Sequence, residues 1–209
     1  YDAYVGNGPV IVGGNTTLQT LGTLDPGNSG DSDHSALAGV NAGYEFSGSM
    51  NGLRLAVHAM SGNIDTETEM PAMHYETGLN VTGGSAVYIT NDWEVMGEYF
   101  RFNNKDMSGA SVTPGGTHNS RAGYLQAGSI YHDLTPYIRL EKALLNQQDI
   151  YFSSQENGQS YSRQALGLRY NLNPNTALKL ELLNSRFLPD AARAALAYRS
   201  LHVQYSIGF

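Results

Sequence analysis

Hydrophobic and polar residues alternate along this chain in blocks of roughly ten, the length of a tilted strand crossing a bilayer. The clearest block is the last, where Leu201, Val203, Tyr205, Ile207 and Phe209 alternate with Ser200, His202, Gln204, Ser206 and Gly208. A period of two puts one set on each face of an extended strand. The pattern recurs upstream. Residues 36–46 set Ala38, Val40, Ala42, Tyr44 and Phe46 opposite Asn41 and Glu45, and 53–60 set Leu53, Leu55, Val57 and Ala59 opposite Arg54 and His58. In 93–102, Trp93, Val95, Gly97 and Tyr99 oppose Glu94, Met96 and Glu98. Leu166, Leu168, Tyr170 and Leu172 oppose Ala165, Gly167, Arg169 and Asn171 in 162–172, while in 176–187 Leu178, Leu180 and Leu182 oppose Lys179 and Glu181. Further strands are expected at 1–5, 121–132 and 137–145. Another is expected at 74–89, with Thr77, Leu79 and Val81 outward and a bend at Gly83-Gly84. The pattern predicts an all-β chain of about ten strands.

The connections alternate too. Polar stretches centred near 20, 66, 111, 153 and 192 are long; those near 49, 91, 134 and 174 are short. Aromatics Phe46, Trp93, Tyr131, Tyr137, Tyr170 and Phe209 collect at the short-turn side. One-sided loop lengths and an aromatic girdle are features of transmembrane antiparallel up-and-down β-barrels. A soluble barrel or sandwich explains the alternation but neither of these. The mean hydropathy of −0.33 does not oppose the barrel, because barrel strands carry their lipid face in every second residue. The chain has 24 Gly, 14 Tyr, no Cys and 15% charged residues. A net charge of −7 without a basic run disfavours nucleic acid as a partner. All 209 residues read as one domain, and the absence of a leader before the first strand-like segment suggests processing or the C-terminal section of a longer barrel.

The hairpin Gly167-Leu168-Arg169-Tyr170, Pro174, Ala177-Leu178-Lys179 and Glu181, followed by the strand ending in Phe209, resembles the C-terminal strands of bacterial general-porin-like proteins. WEVMGEYFRF (93–102) and AGYLQAGSIYHDLTPYIRLEK (122–142) resemble the preceding strands, so the likeness covers roughly 53–209. The resemblance implies a barrel in the bacterial outer membrane of a Gram-negative cell. It also implies passive diffusion of small hydrophilic solutes or ions, contact with outer-membrane lipid, and a homotrimer. Barrels of that family have roughly sixteen strands, against about ten here. The chain is therefore either part of a wider barrel or a narrow one filled by side chains.

The ionisable residues expected to line a pore are Glu45, Arg54, His58, Glu94, Glu98, Arg139, Glu141, Arg169, Lys179, Glu181 and His202. Such groups set ion preference through their local field, or pair across neighbouring strands, as Arg169 and Glu181 are placed to do. Acids and bases are nearly balanced, which predicts weak selectivity. Lys142 falls on the outward face with Ile138, Leu140 and Leu144, where it must snorkel. No catalytic constellation stands out: His132-Asp133 is half a dyad at a turn, and the expectation is a protein that is not an enzyme. No metal-ligand set or cofactor motif is present. The acidic stretch 25–33 (Asp25, Asp31, Asp33) offers oxygen ligands to Ca²⁺ but lacks EF-hand spacing, so an ordinary solvated loop is the default. Loops 9–34 and 103–119 are expected to fold inward on length alone. A closed or plugged barrel acting as a surface scaffold is the alternative to a channel.

Overall fold

The computed structural model describes residues 1–7, 10–12, 23–25, 36–65, 76–108, 116–153, 159–190 and 193–208. It is all-β apart from short helical turns. Ten strands form one antiparallel sheet in which each pairs with the next: β1 (Asp2–Asn7), β4 (Ala36–Glu45), β5 (Leu53–Asp65), β6 (Glu76–Ile89), β7 (Trp93–Ser108), β8 (Thr117–Ser129), β9 (Leu134–Leu144), β10 (Tyr161–Asn173), β11 (Thr176–Phe187) and β12 (Leu196–Ile207). A separate two-stranded ribbon pairs β2 (Val10–Val12) with β3 (Thr23–Asp25). The sheet is open, with β1 and β12 as its edges.

The short connections are tight turns with identifiable chemistry. A 3-10 turn, Gly48–Met50, joins β4 to β5 with Gly48 at φ 69° and Gly52 at φ 88°. A Cβ on Gly52 would fall 2.0 Å from the Ile89 carbonyl oxygen, so only glycine fits there. The β8–β9 turn reverses through His132 at φ 55°, closed by reciprocal Tyr131–Leu134 backbone bonds of 2.8 and 3.0 Å. Asn173 Oδ1 accepts the Asn175 N–H at 2.9 Å, locking the turn between β10 and β11.

On β6, β8, β9 and β11 one face of the sheet is the more buried and the other exposed, while β12 is open on both. Arg169 on β10 reaches Glu94 on β7 at 2.9 Å. Strands lie about 4.8 Å apart, so contact across three strand spacings requires the sheet to curl toward that face. The inner face is thus concave. The convex face carries exposed Leu166, Leu168, Leu180, Leu182, Leu201 and Val203. Aromatics Tyr44, Tyr88, Trp93, Tyr131, Tyr170 and Tyr205 are exposed at its short-turn end.

Three expectations are corrected. Thr77, Leu79 and Val81 lie on the concave face, buried to 1, 2 and 6% exposure. Leu79 and Val81 form an apolar cluster with Leu37 and Ile64, packed against Met60, Phe100, Phe102 and Tyr151. A one-residue slip exchanges the two faces of a strand, and near the long-loop end both faces of β6 mix polar and apolar residues. Second, Gly83-Gly84 makes no bend; the register is unbroken there and shifts only between Glu76 and Thr77. Gly83 instead makes room for its cross-strand neighbour Phe100, as Gly167 does for Tyr137 and Gly39 for Tyr4. Third, 103–108 and 117–119 of the expected 103–119 loop are strand, since Asn103 opposes Asn119 and Lys105 opposes Thr117, and 109–115 lies outside the described residues. The strands run on after their hydrophobic alternation has given way to polar residues.

Candidate pore-lining face and its loop

All eleven residues expected to line a pore project from the concave face, by the strand registers that place Glu45 opposite Arg54, Asn41 opposite His58 and Glu181 opposite His202. Seven of them lie on β7 and β9–β11, where six join a connected band of ion pairs. Glu94 on β7 is nearly sealed and binds Arg169 at 2.9 Å, with Gln126 Nε2 donating to it at 3.4 Å. Arg139 lies between Glu141 at 2.5 Å and Glu181 at 2.9 Å. Glu181 also accepts the Tyr137 hydroxyl at 2.7 Å and pairs with Lys179 at 3.2 Å. Arg163 closes the band by bonding Glu141 at 3.3 Å and Ser185 at 3.0 Å. Glu98, the seventh, hydrogen-bonds Tyr124 on the same face.

The expected Arg169–Glu181 pair is not made. The register sets Arg169 opposite Lys179 and Glu181 opposite Gly167, so Arg169 turns toward β7 and Glu181 toward β9. The other candidates stand apart from the band. His58 touches Ser85 Oγ at 3.3 Å beside the Phe100 ring, and exposed His202 pairs with Ser200 at 3.0 Å.

Two band members escaped the sequence reading. Arg163 is where the β10 alternation points once extended two residues upstream of Ala165. Tyr137 shares the parity of Arg139, and was placed in the outer girdle on residue type alone; it is 5% exposed and points inward. Phe209 lies outside the described residues.

At the long-loop end, the first part of the connection centred near 153 folds onto the concave face. Residues 145–153, including the helical turn α1 (Ile150–Ser153), leave β9 and lie against β7. Phe102 meets the rings of Tyr151 at 6.0 Å and Phe152 at 4.8 Å. Buried Asp149 accepts the Asn104 amide at 2.9 Å and the Tyr151 N–H at 3.0 Å. Ser120 Oγ accepts the Asn146 N–H at 2.9 Å. His118 and Asp106, both buried, pair 2.9 Å apart beneath the same seat. Burial pushes the Asp149 carboxyl up to about 6, partly offset by the two bonds it accepts. Of the loops expected inward on length, 103–119 is strand at 103–108 and 117–119 with 109–115 outside the described residues, and 9–34 lies outside them except for the small ribbon.

No family model matches the chain, and no curated protein matches it in sequence. Among the described residues no group of three or more His, Asp or Glu is placed to hold a metal ion. Residues 26–33 of the acidic stretch lie outside the described set. No helix among the described residues is long and apolar enough to cross a membrane, which says nothing about strands.

Proposed function

We propose that this chain forms the wall of a bacterial outer-membrane porin-like channel through which small hydrophilic solutes or ions diffuse passively. The observation that carries the reading is the inverted polarity of the curled sheet. Its exposed convex face is built from leucine, valine and aromatic residues, while its concave face holds at least three carboxylates and four cations in mutual contact. Water on the convex side would face an apolar surface of many strands, far beyond the patches that soluble monomers expose. Lipid on that side and water on the other satisfies both faces. Among the charges in the band, Glu94, Glu141 and Glu181 nearly balance Arg139, Arg163, Arg169 and Lys179, which favours weak ionic preference. Closure into a barrel, insertion in the outer membrane and trimerisation belong to this proposal.

The closed or plugged scaffold is the second reading, favoured by the loop that fills part of the concave side with Tyr151 and Phe152. Planar-bilayer recording of the detergent-extracted protein separates the two. Steady, voltage-independent conductance steps are expected; an inserted protein that passes no current supports the scaffold and overturns the channel.

A further inference from the structure

The convex face is not uniformly apolar. On β7–β12, every described ionisable side chain facing outward is basic: Arg101, Lys105, Arg121, Lys142, Arg186 and Arg199, all exposed. These are half of the twelve Lys and Arg in a chain of net charge −7. They lie at the long-loop end of their strands, each followed toward the short-turn end by outward apolar or aromatic residues. On β12 the outward order is Arg199, Leu201, Val203, Tyr205, and on β9 it is Lys142, Leu140, Ile138. The eight residue steps from Arg101 to Trp93 span about 27 Å of strand. Tilted, that length suits the apolar band of a barrel. One rim is therefore aromatic and the other cationic.

Mutual repulsion makes this placement costly without a counter-charge. Arg101 and Arg121 are direct cross-strand partners on one face, an arrangement that is destabilising for like charges. Among the described residues Arg101 bonds the neutral Asn119 Oδ1, at 3.5 Å. Lys142 and Arg186 both oppose Ser162, one strand to either side. Between the two halves of the belt, Gly123 sits opposite Tyr99 and Lys142, and a hollow of about 610 Å³ runs over β7–β10 there, with Glu98 and Glu141 also in its lining. Arg121 and Lys142 line its rim, with Tyr99, Leu140 and Leu144 around it.

We infer that this belt binds the phosphate-bearing headgroups of anionic lipid in the leaflet on the long-loop side, with Arg121 and Lys142 at its centre. The inference rests on the membrane reading above. Guanidinium and ammonium groups set over an apolar wall match an anionic amphiphile, with arginine able to bind phosphate through two parallel bonds.

The test uses the whole protein reconstituted in vesicles of phosphatidylcholine, probed with spin-labelled phosphatidic acid or spin-labelled phosphatidylcholine. The wild-type protein is expected to restrict the motion of phosphatidic acid in preference to phosphatidylcholine by about tenfold or more. The double variant Arg121→Gln/Lys142→Gln should bring that preference close to unity while the channel current persists. Should that variant fail to insert, Arg186→Gln/Arg199→Gln, on other strands of the same belt, should lower the preference several-fold. Equal restriction of the two lipids by wild-type protein overturns the belt and leaves the membrane reading intact. A preference that both variants retain assigns it elsewhere and also overturns the proposal. Wild-type protein that restricts neither lipid has not inserted, and then the membrane reading falls with it.

Discussion

Glu181 joins three side chains of the concave face, with Tyr137, Arg139 and Lys179 all bonded to it. Two substitutions separate its charge from its geometry. Glu181→Gln keeps the shape but leaves Arg139 and Lys179 with less negative charge between them. Reversal potentials in a salt gradient should then move toward anion preference, and an unchanged potential would remove the band from the conduction path. Tyr137→Phe removes one hydrogen bond and no charge, so selectivity should hold while stability falls by about 1 kcal/mol. Asp149 gives a pH effect whose sign is fixed. Its native value of about 6 exceeds the ordinary 3.8, so the seated loop keeps a proton that an unseated one releases. Its contribution is greatest below about pH 4, declines as pH rises through that window, and levels off above about 6. The full difference is on the order of 3 kcal/mol at about 1.4 kcal/mol per pH unit. Amides of Asp149, Tyr151 and Phe152 should exchange more slowly at pH 5 than at pH 7.5, once intrinsic rates are removed. Asp149→Asn should abolish that difference, and a persistent one would point to Asp106 or His118 beneath the loop.

Strands were legible wherever one face was apolar and the other polar, as in β4, β5, β7, β10, β11 and β12. Parity then placed all eleven charged candidates on one face, which in the structure is the concave one, and Lys142 on the other. Legibility failed in two physical circumstances. Where β7 and β8 continue as Asn103–Asn104–Lys105–Asp106 and Thr117–His118, both faces are polar and no period shows. Where the concave face turns apolar, as at Leu79 and Val81, hydrophobicity no longer tells inside from outside. The seat of the loop was invisible for a third reason: Asn104 and Asp149 are 45 residues apart, and nothing local ties them. Gly83-Gly84 was read as a bend, yet Gly83, like Gly39 and Gly167, is a site where an aromatic from the next strand lies over bare backbone. A Cβ on Gly167 would sit 1.9 Å from the Tyr137 ring. Gly167→Val should therefore expel Tyr137 from Glu181 and lower stability by about 1–3 kcal/mol. Gly167→Val combined with Tyr137→Ala should recover part of the loss by denaturant titration; strictly additive effects would mean that the two residues do not compete for space.

At the scale of the whole molecule, the question is which solvent the convex face meets, and a charge placed on that face reports it. Leu180 is central on β11, 42% exposed, and flanked across the strands by Leu168 and Val203. In water, replacing a half-exposed leucine by arginine at such a position would change stability by roughly 0.5 kcal/mol or less. In a bilayer, an arginine near the midplane of a barrel wall costs about 2–4 kcal/mol, and less toward either interface. Leu180→Arg is accordingly expected to destabilise the vesicle-inserted protein by that larger amount in denaturant titration. Arg186 and Arg199 are native examples of the same chemistry on the same face, both at the end where an interface would lie, so the face itself discriminates by depth. Gln204→Glu, on the concave face opposite Lys179, should cost almost nothing. A soluble sheet predicts the reverse order of sensitivity, with the concave substitution disturbing a packed interior and the convex one tolerated. If Leu180→Arg proves silent, lipid does not cover this face, and the channel, the scaffold barrel and the cationic rim are all excluded together.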